Sequence, residues 1–184
     1  MMQIAYPKSM ADFPTDHWHM RRYRLSAEFL TMNVPQRSKI LDLGTDNGLS
    51  QYLQSRGWDV TNTMGEDLDL YPDFIIPLDH YDCVTAFEIL EHLVSPFELL
   101  RMLPSDHLVL SVPLRLWFAR AYNAGEMDRH YHEFEPWQLD WLLSKAGWRI
   151  LSRETHTSPT YRLGLRSILR WVTPRWYFVY AERR

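Results

Sequence analysis

The sequence encodes an α/β protein: one doubly wound, mainly parallel sheet with helices on both faces. Three observations lead there. Short strand-like apolar segments alternate with segments whose apolar residues recur every three or four positions, the order that builds βαβ units. The run "YDCVTAF" (residues 81–87) is almost continuously apolar, which suits a strand buried on both faces, as parallel strands are. With 184 residues, 46% hydrophobic and 14% aromatic, the chain can bury one sizeable core and is short for two.

Each element follows from local chemistry. Residues 16–33 place Met20, Tyr23, Ala27 and Leu30 at helical steps before Pro35 ends the run, which predicts an opening helix. "SKILDLG" (38–44) is a short strand ending on Gly44, and "LSQYLQSRG" (49–57) is a helix with Leu49, Tyr52 and Leu53 as its stripe and Gly57 as its stop. "WDVTNT" is a second strand, and "YDCVTAF" a third. Between them "DFIIPL" is short, and Pro77 confines it to a sheet edge. In "SPFELL" Ser95, Pro96 and Glu98 have the spacing of a capping box with proline at the first helical position. "HLVLSVP" follows as a strand. "EFEPWQLDWLLSKAGW" predicts a helix that starts at Pro136, turns Trp137, Trp141 and Leu142 to one face, and stops at Gly147. "WRILSRE" and "WYFVYAE" close the sheet. The whole chain, 1–184, reads as one domain, with a helical cap over 1–36 and the α/β core over 37–184.

Charge and cysteine content exclude several classes. The net charge of −3 argues against a general nucleic-acid binder. That charge is unevenly spread: residues 59–106 hold eleven acids and one base, whereas residues 149–184 hold eight arginines and two glutamates. Arg162, Arg166 and Arg170 recur every four residues as one basic stripe, a solvated face or a phosphate contact. The lone Cys83 lies in an apolar strand and reads as a core thiol. With no disulfide framework, no leader-like start and no apolar stretch of spanning length, the expectation is a cytoplasmic protein without a membrane span.

The first strand-to-helix turn carries the chemistry. In open α/β sheets ligands sit over the carboxyl ends of the strands, where strand order reverses. In "ILDLGTDNGLSQYL" Gly44 lets the chain turn, Gly48 lets it approach closely at the helix start, and the N–H groups there can hold an anionic group. Asp42 can accept from a cation. A turn with purely structural glycines is the alternative. Asp46 stands where a dinucleotide fingerprint wants glycine, and its charge repels a pyrophosphate; it suits a ligand carrying an amino group and a sulfonium.

"KILDLGTDNG", "YDCVTAFEILEHLVSPFELL", "HLVLSVP" and "HEFEPWQLDWLLSKAGW", in that order, resemble class I S-adenosylmethionine-dependent methyltransferases from about residue 17 to the end. "FEILEHL" followed by "SPFELL" is similar to the branch that includes ubiquinone-biosynthesis O-methyltransferases. The resemblance implies a Rossmann-like sheet of seven strands, or six if the third is lost, with the last antiparallel. It implies S-adenosylmethionine as cofactor and a small-molecule acceptor methylated on O or N. Asp42, Gly44, Thr45, Asp46 and Gly48 would surround the methionine part, with Phe87 and Glu88 beside it. Met64 and Gly65 stand where the family ends its second strand on an acid that binds the ribose, and Glu66 or Asp67 would substitute for that acid. Asp82 follows Met64 by only 18 positions, so the helix of that crossover is stunted or lost.

Methyl transfer needs alignment, a dry pocket and at times a base. His92 or His130 would be that base, with Glu88 near them. Glu88, Glu91 and His92, with His130 downstream, also resemble the E-x-x-E-H set of metal-dependent small-RNA 2′-O-methyltransferases, so a divalent metal held by these four is an alternative. A hydrogen-bonded polar cluster is the bland alternative. A methyltransferase fold that serves only as a binding scaffold is another. Trp18, Tyr23, Trp117 and Tyr122 line a substrate pocket or belong to the core, and His17 and His19 fall at a rim.

Overall fold

The computed structural model describes residues 17–71, 80–120, 129–160 and 163–184. Five α-helices and six strands alternate as expected: α1 (His17–Asn33), β1 (Lys39–Asp42), α2 (Gly48–Ser55), β2 (Asp59–Asn62), β3 (Cys83–Phe87), α3 (Pro96–Met102), β4 (His107–Pro113), α4 (Pro136–Lys145), β5 (Trp148–Thr157), α5 (Leu165–Val172) and β6 (Pro174–Arg183). The strands form one sheet in the order β2-β1-β3-β4-β6-β5. β1 pairs in parallel with β2 and with β3, β3 pairs in parallel with β4, and β6 runs antiparallel to both β4 and β5. The antiparallel last strand agrees with expectation, and the sheet has six strands among the described residues. "DFIIPL" and Tyr122 lie outside them. Between β2 and residue 71 the chain makes a single turn over Asp67–Leu70 and no helix, in line with a stunted crossover.

Both faces of the sheet are covered. On one, α1 and α2 pack Phe29, Leu30 and Leu53 against Ile40, Val109 and Phe178. On the other, α3 and α4 pack Leu99, Leu100, Leu139 and Leu143 against Val84, Leu108 and Val179. Cys83 is fully buried, and burial pushes its thiol up to about 12, so it is the core thiol the sequence indicated. Tyr23 is likewise core, 6% exposed, whereas Trp117 stands in solvent.

Two local expectations change. The Ser95 side chain does not cap α3. The carboxylate of Asp69, 26 residues upstream of Ser95, accepts from the Val94 and Ser95 amides at 2.8 Å each and so takes the Ser95 amide that Glu98 would bind in a capping box. On α4 the buried stripe is Leu139 and Leu143, while Trp137 and Trp141 face outward. Spaced i, i+4, the two indoles meet edge to face at 4.9 Å between centroids and shield each other, leaving the leucines to the core. α4 starts at Pro136 as expected, with the Glu135 amide donating to Gln138 Oε1 at 2.9 Å.

Candidate active site

The strand order reverses between β1 and β3, and the ends of both strands open onto one cleft. It has a volume of about 500 Å³ and is bordered by Arg22 and Tyr23 of α1, Asn47 and Leu49 at the start of α2, and Phe87, Glu88, Glu91, His92 and His130.

The turn after β1 is held from below. Asp42 is 3% exposed and accepts from Thr85 Oγ1 at 2.6 Å, Ser50 Oγ at 2.9 Å and Asn62 Nδ2 at 3.2 Å. Burial pushes its carboxyl up to about 6, against the lowering effect of those three donors. Asp42 therefore ties β1, β2, β3 and α2 together. Gly44 turns the chain at φ +106°, and its amide donates to Thr63 Oγ1 at 2.8 Å. The first turn of α2 is capped internally, because Asn47 Oδ1 accepts from the amides of Leu49 at 2.8 Å and Ser50 at 3.2 Å. Those two N–H groups are thus taken, contrary to the expectation that they hold an anion. Asn47 was legible as a helix N-cap residue directly before Gly48.

Asp46 is oriented differently. Its Oδ2 lies 3.3 Å from Gln51 Nε2, while Oδ1 is buried without a hydrogen-bond partner. An unmatched carboxylate oxygen at the turn suits a cationic group. Gly48 is required sterically: a Cβ there would come within 2.8 Å of the Tyr23 hydroxyl and 3.2 Å of its ring. Gly48→Ala should lower stability by about 1–3 kcal/mol, and urea unfolding of the variant should show the loss partly recovered when Tyr23→Leu is added.

At the end of β2 Met64 is 86% exposed, and its amide donates to Glu66 Oε2 at 2.9 Å. Asp67 instead accepts from the Asp69 and Leu70 amides, which fixes the next turn. Of the two acids that sequence allowed at this place, Glu66 is the one whose carboxylate folds back onto the Met64 amide. Gly65, at φ +90°, packs against Thr45: a Cβ there would approach Thr45 Cγ2 to 2.7 Å, so the two loops touch.

Across the cleft, Glu88 ends β3 in the left-handed region at φ +56°, a conformation that costs a side-chain-bearing residue about 1–2 kcal/mol. The bend brings its carboxylate onto Ser111 Oγ at 3.0 Å and to 3.8 Å from Arg22. Glu88 therefore does not begin the helical turn; a short 3₁₀ turn spans Leu90–His92. Burial raises the Glu88 carboxyl above the ordinary carboxylate range, and burial followed by the charge of Glu88 raises Glu91 well above it. Glu91 is 1% exposed, and its Oε2 has no hydrogen-bond partner.

Glu91, His92 and His130 come together, with one ligand atom from each within 4.8 Å of the others. Glu88 is not in this group, because the β3 bend directs it to Ser111 and Arg22. The His92 and His130 rings meet edge to face at 4.8 Å. His92 Nδ1 lies 3.1 Å from the Arg129 carbonyl, which can only accept, so Nδ1 carries the proton and Nε2 presents its lone pair. That nitrogen is 3.8 Å from Glu91 Oε1. The Tyr131 and His132 amides both donate to the Glu91 carbonyl and pin the segment carrying His130 to the turn.

Comparison with known proteins agrees with this fold. Residues 17–153 match a family described as a methyltransferase domain. No curated protein matches the sequence. A Listeria monocytogenes protein assigned as an S-adenosylmethionine-dependent methyltransferase superposes with a TM-score of 0.60 at 14% identity, over 89% of this chain and 98% of that one. A SAM-dependent methyltransferase from Archaeoglobus fulgidus gives 0.56 at 16% identity, over 91% and 100%. The N-terminal domain of EvdMO1, solved with S-adenosylhomocysteine bound, gives 0.50 at 16% identity, over 88% and 80%. The solved neighbours share the fold, and the matched family spans most of the chain; the protein belongs to the methyltransferase-domain family.

Proposed function

We propose that the protein transfers a methyl group to an oxygen or nitrogen of a small or medium-sized acceptor held in the cleft, with His92 as general base. The observation that carries this reading is the His92 tautomer: the Arg129 carbonyl fixes the proton on Nδ1 and leaves Nε2 as the free base beside Glu91. S-adenosylmethionine supplies an electrophilic methyl on a sulfonium when bound. The residues present fit it. The orphaned Asp46 Oδ1 would meet the amino group and Gly44, Thr45 and Gly48 would border the methionine part, with Asp42 holding their turn in place. Met64, Gly65 and Glu66 would border the ribose side, with Phe87 lining the cleft. His92 Nε2 takes the acceptor proton, the Glu91 carboxylate offsets the imidazolium charge, and His130 packs on the His92 ring to hold its plane.

Calorimetry of the full chain with S-adenosylmethionine and with S-adenosylhomocysteine tests the reading. Both should bind, and no heat from either at millimolar ligand would overturn it. Asp46→Ala should weaken S-adenosylmethionine by about 10- to 100-fold, the range for a hydrogen bond to a charged group. The same calorimeter reads that change.

A second reading is favoured by one observation. Glu91, His92 and His130 converge, and the buried Glu91 Oε2 lacks a partner, which together make a set suited to Mn²⁺ or Zn²⁺. In that case the metal would orient an acceptor hydroxyl, and removing any of the three ligands would have the same consequence.

A further inference from the structure

α5 is turned inside out. Leu165, Ile168, Leu169 and Val172 follow the i, i+3, i+4, i+7 spacing that elsewhere marks a core-facing stripe. Here Leu165, Ile168 and Val172 are 63–73% exposed, and no residue of the helix is buried. Leu163 just before it and Trp171 within it add to the same exposed surface. The polar side is the one that meets the protein: Ser167 Oγ accepts from Thr160 Oγ1 at 3.0 Å, and Arg170 reaches Ser158 Oγ at 3.5 Å. A contiguous exposed apolar patch of this kind marks an interaction site.

The charge around the patch identifies what covers it. Arg166 lies next to the stripe, and Arg166 and Arg175 stand close enough to Arg170 to ease its proton off, after the effect of burial. The cluster is therefore cationic, within a segment of eight arginines and two glutamates. Pairing with a second copy through a two-fold axis would set this patch against itself and oppose like charges. Pairing it with the acidic middle segment of another copy would be a head-to-tail contact, which builds a ring or an open filament. An apolar stripe with a Trp and flanking arginines has the composition of a helix lying in a membrane interface.

We propose that α5 docks the protein on an anionic lipid surface, its apolar stripe in the headgroup boundary and Arg166 on lipid phosphates. Among the described residues no helix is long and apolar enough to cross a membrane, so the contact is peripheral. Position in the fold supports it. β5 runs in the direction of β4, and α5 joins the end of β5 to the start of β6, so it sits at the rim of the sheet onto which the cleft opens. The exit of β4 at that rim also carries Trp117, 72% exposed, and Arg175 donates to the Leu114 carbonyl there at 2.6 Å.

Flotation of the full chain with vesicles of phosphatidylcholine, and of phosphatidylcholine mixed with phosphatidylglycerol, decides the matter without reference to methyl transfer. The protein should float with the mixed vesicles, far less with the neutral ones, and less as salt is raised. Ile168→Asp should abolish flotation, and Arg166→Gln should weaken partition into the mixed vesicles by about fivefold. Since neither side chain is buried, both variants should keep wild-type unfolding curves and cofactor affinity. Failure of the folded wild type to float with either vesicle overturns the proposal. So does a dimer in sedimentation that Ile168→Asp splits while flotation is unchanged, because the stripe would then be a subunit interface.

Discussion

Asp42→Ala is expected to destabilise the protein by on the order of 3 kcal/mol at pH 7, with a deficit that widens as the pH falls. The carboxylate satisfies three donors, and of the groups it binds Ser50 and Thr85 are fully buried. Leaving a buried donor unmet costs about 1–3 kcal/mol each. Against this, the variant no longer buries a charge. Asp42 titrates at about 6 in the folded chain against 3.8 when unperturbed, so the folded state binds the proton more tightly. Between those values the native state carries more protons than the unfolded one, and unfolding free energy falls as pH rises, by about 3 kcal/mol in total. The wild type thus gains from this group on going from pH 7 to pH 4, and Asp42→Ala does not. Asp42→Asn preserves the shape and should remove the same pH-dependent component. Denaturant unfolding of the three proteins at pH 4, 5, 6 and 7 measures it. Glu88 and Glu91 add components of the same sign, common to all three, so the differences isolate Asp42. A deficit that narrowed toward pH 4 would contradict the assignment.

What sequence reveals here is what local chemistry determines. The glycine at 44 and the prolines at 96 and 136 punctuate elements through their own backbone restrictions, and the structure places the turn and the two helix starts there. The continuous apolar run of β3 reports burial on both faces, and all five of its residues are buried. Features set by distant partners are not legible. The Ser95 amide before α3 is bound by Asp69, 26 residues away, and Arg183 is held on the Leu103 carbonyl, 80 residues away. Neither has a local signature.

The site divides along the same line. Glu91 and His92 were candidates on spacing and His130 through the resemblance to the E-x-x-E-H enzymes, and the chain brings the three together. Glu88 was grouped with them as one helical turn, but its left-handed backbone breaks that geometry, and a glutamate gives no warning of φ +56°. Arg22, which faces Glu88 from α1, was missed: nothing local separates it from the other arginines of that helix. The stripe of α5 shows the limit most plainly. Periodicity establishes which residues share a face, yet only the fold decides whether that face turns inward.

His92→Ala is expected to lower the rate of methyl transfer to a surrogate phenol or amine by about 10²- to 10⁴-fold, the range for a positioned base. Cofactor affinity should be unchanged, since the ring lies across the cleft from the β1 turn. Glu91→Gln keeps the shape and removes the charge that offsets the imidazolium, so it too should slow the reaction. Because Glu91 gives up its proton only well above the ordinary carboxylate range, the wild-type rate should climb with pH as that carboxyl ionises. Rate–pH profiles of Glu91→Gln should lack that step. A chelator separates the two readings of the cluster. If His92 acts as a base alone, the chelated full chain keeps its rate, and His130→Ala has the mildest effect. If Glu91, His92 and His130 hold a metal, chelation stops the reaction, Mn²⁺ restores it, and the three alanine variants fail alike. The 3.1 Å contact to the Arg129 carbonyl is compatible with both, because fixing the proton on Nδ1 prepares Nε2 equally for a proton or a metal ion.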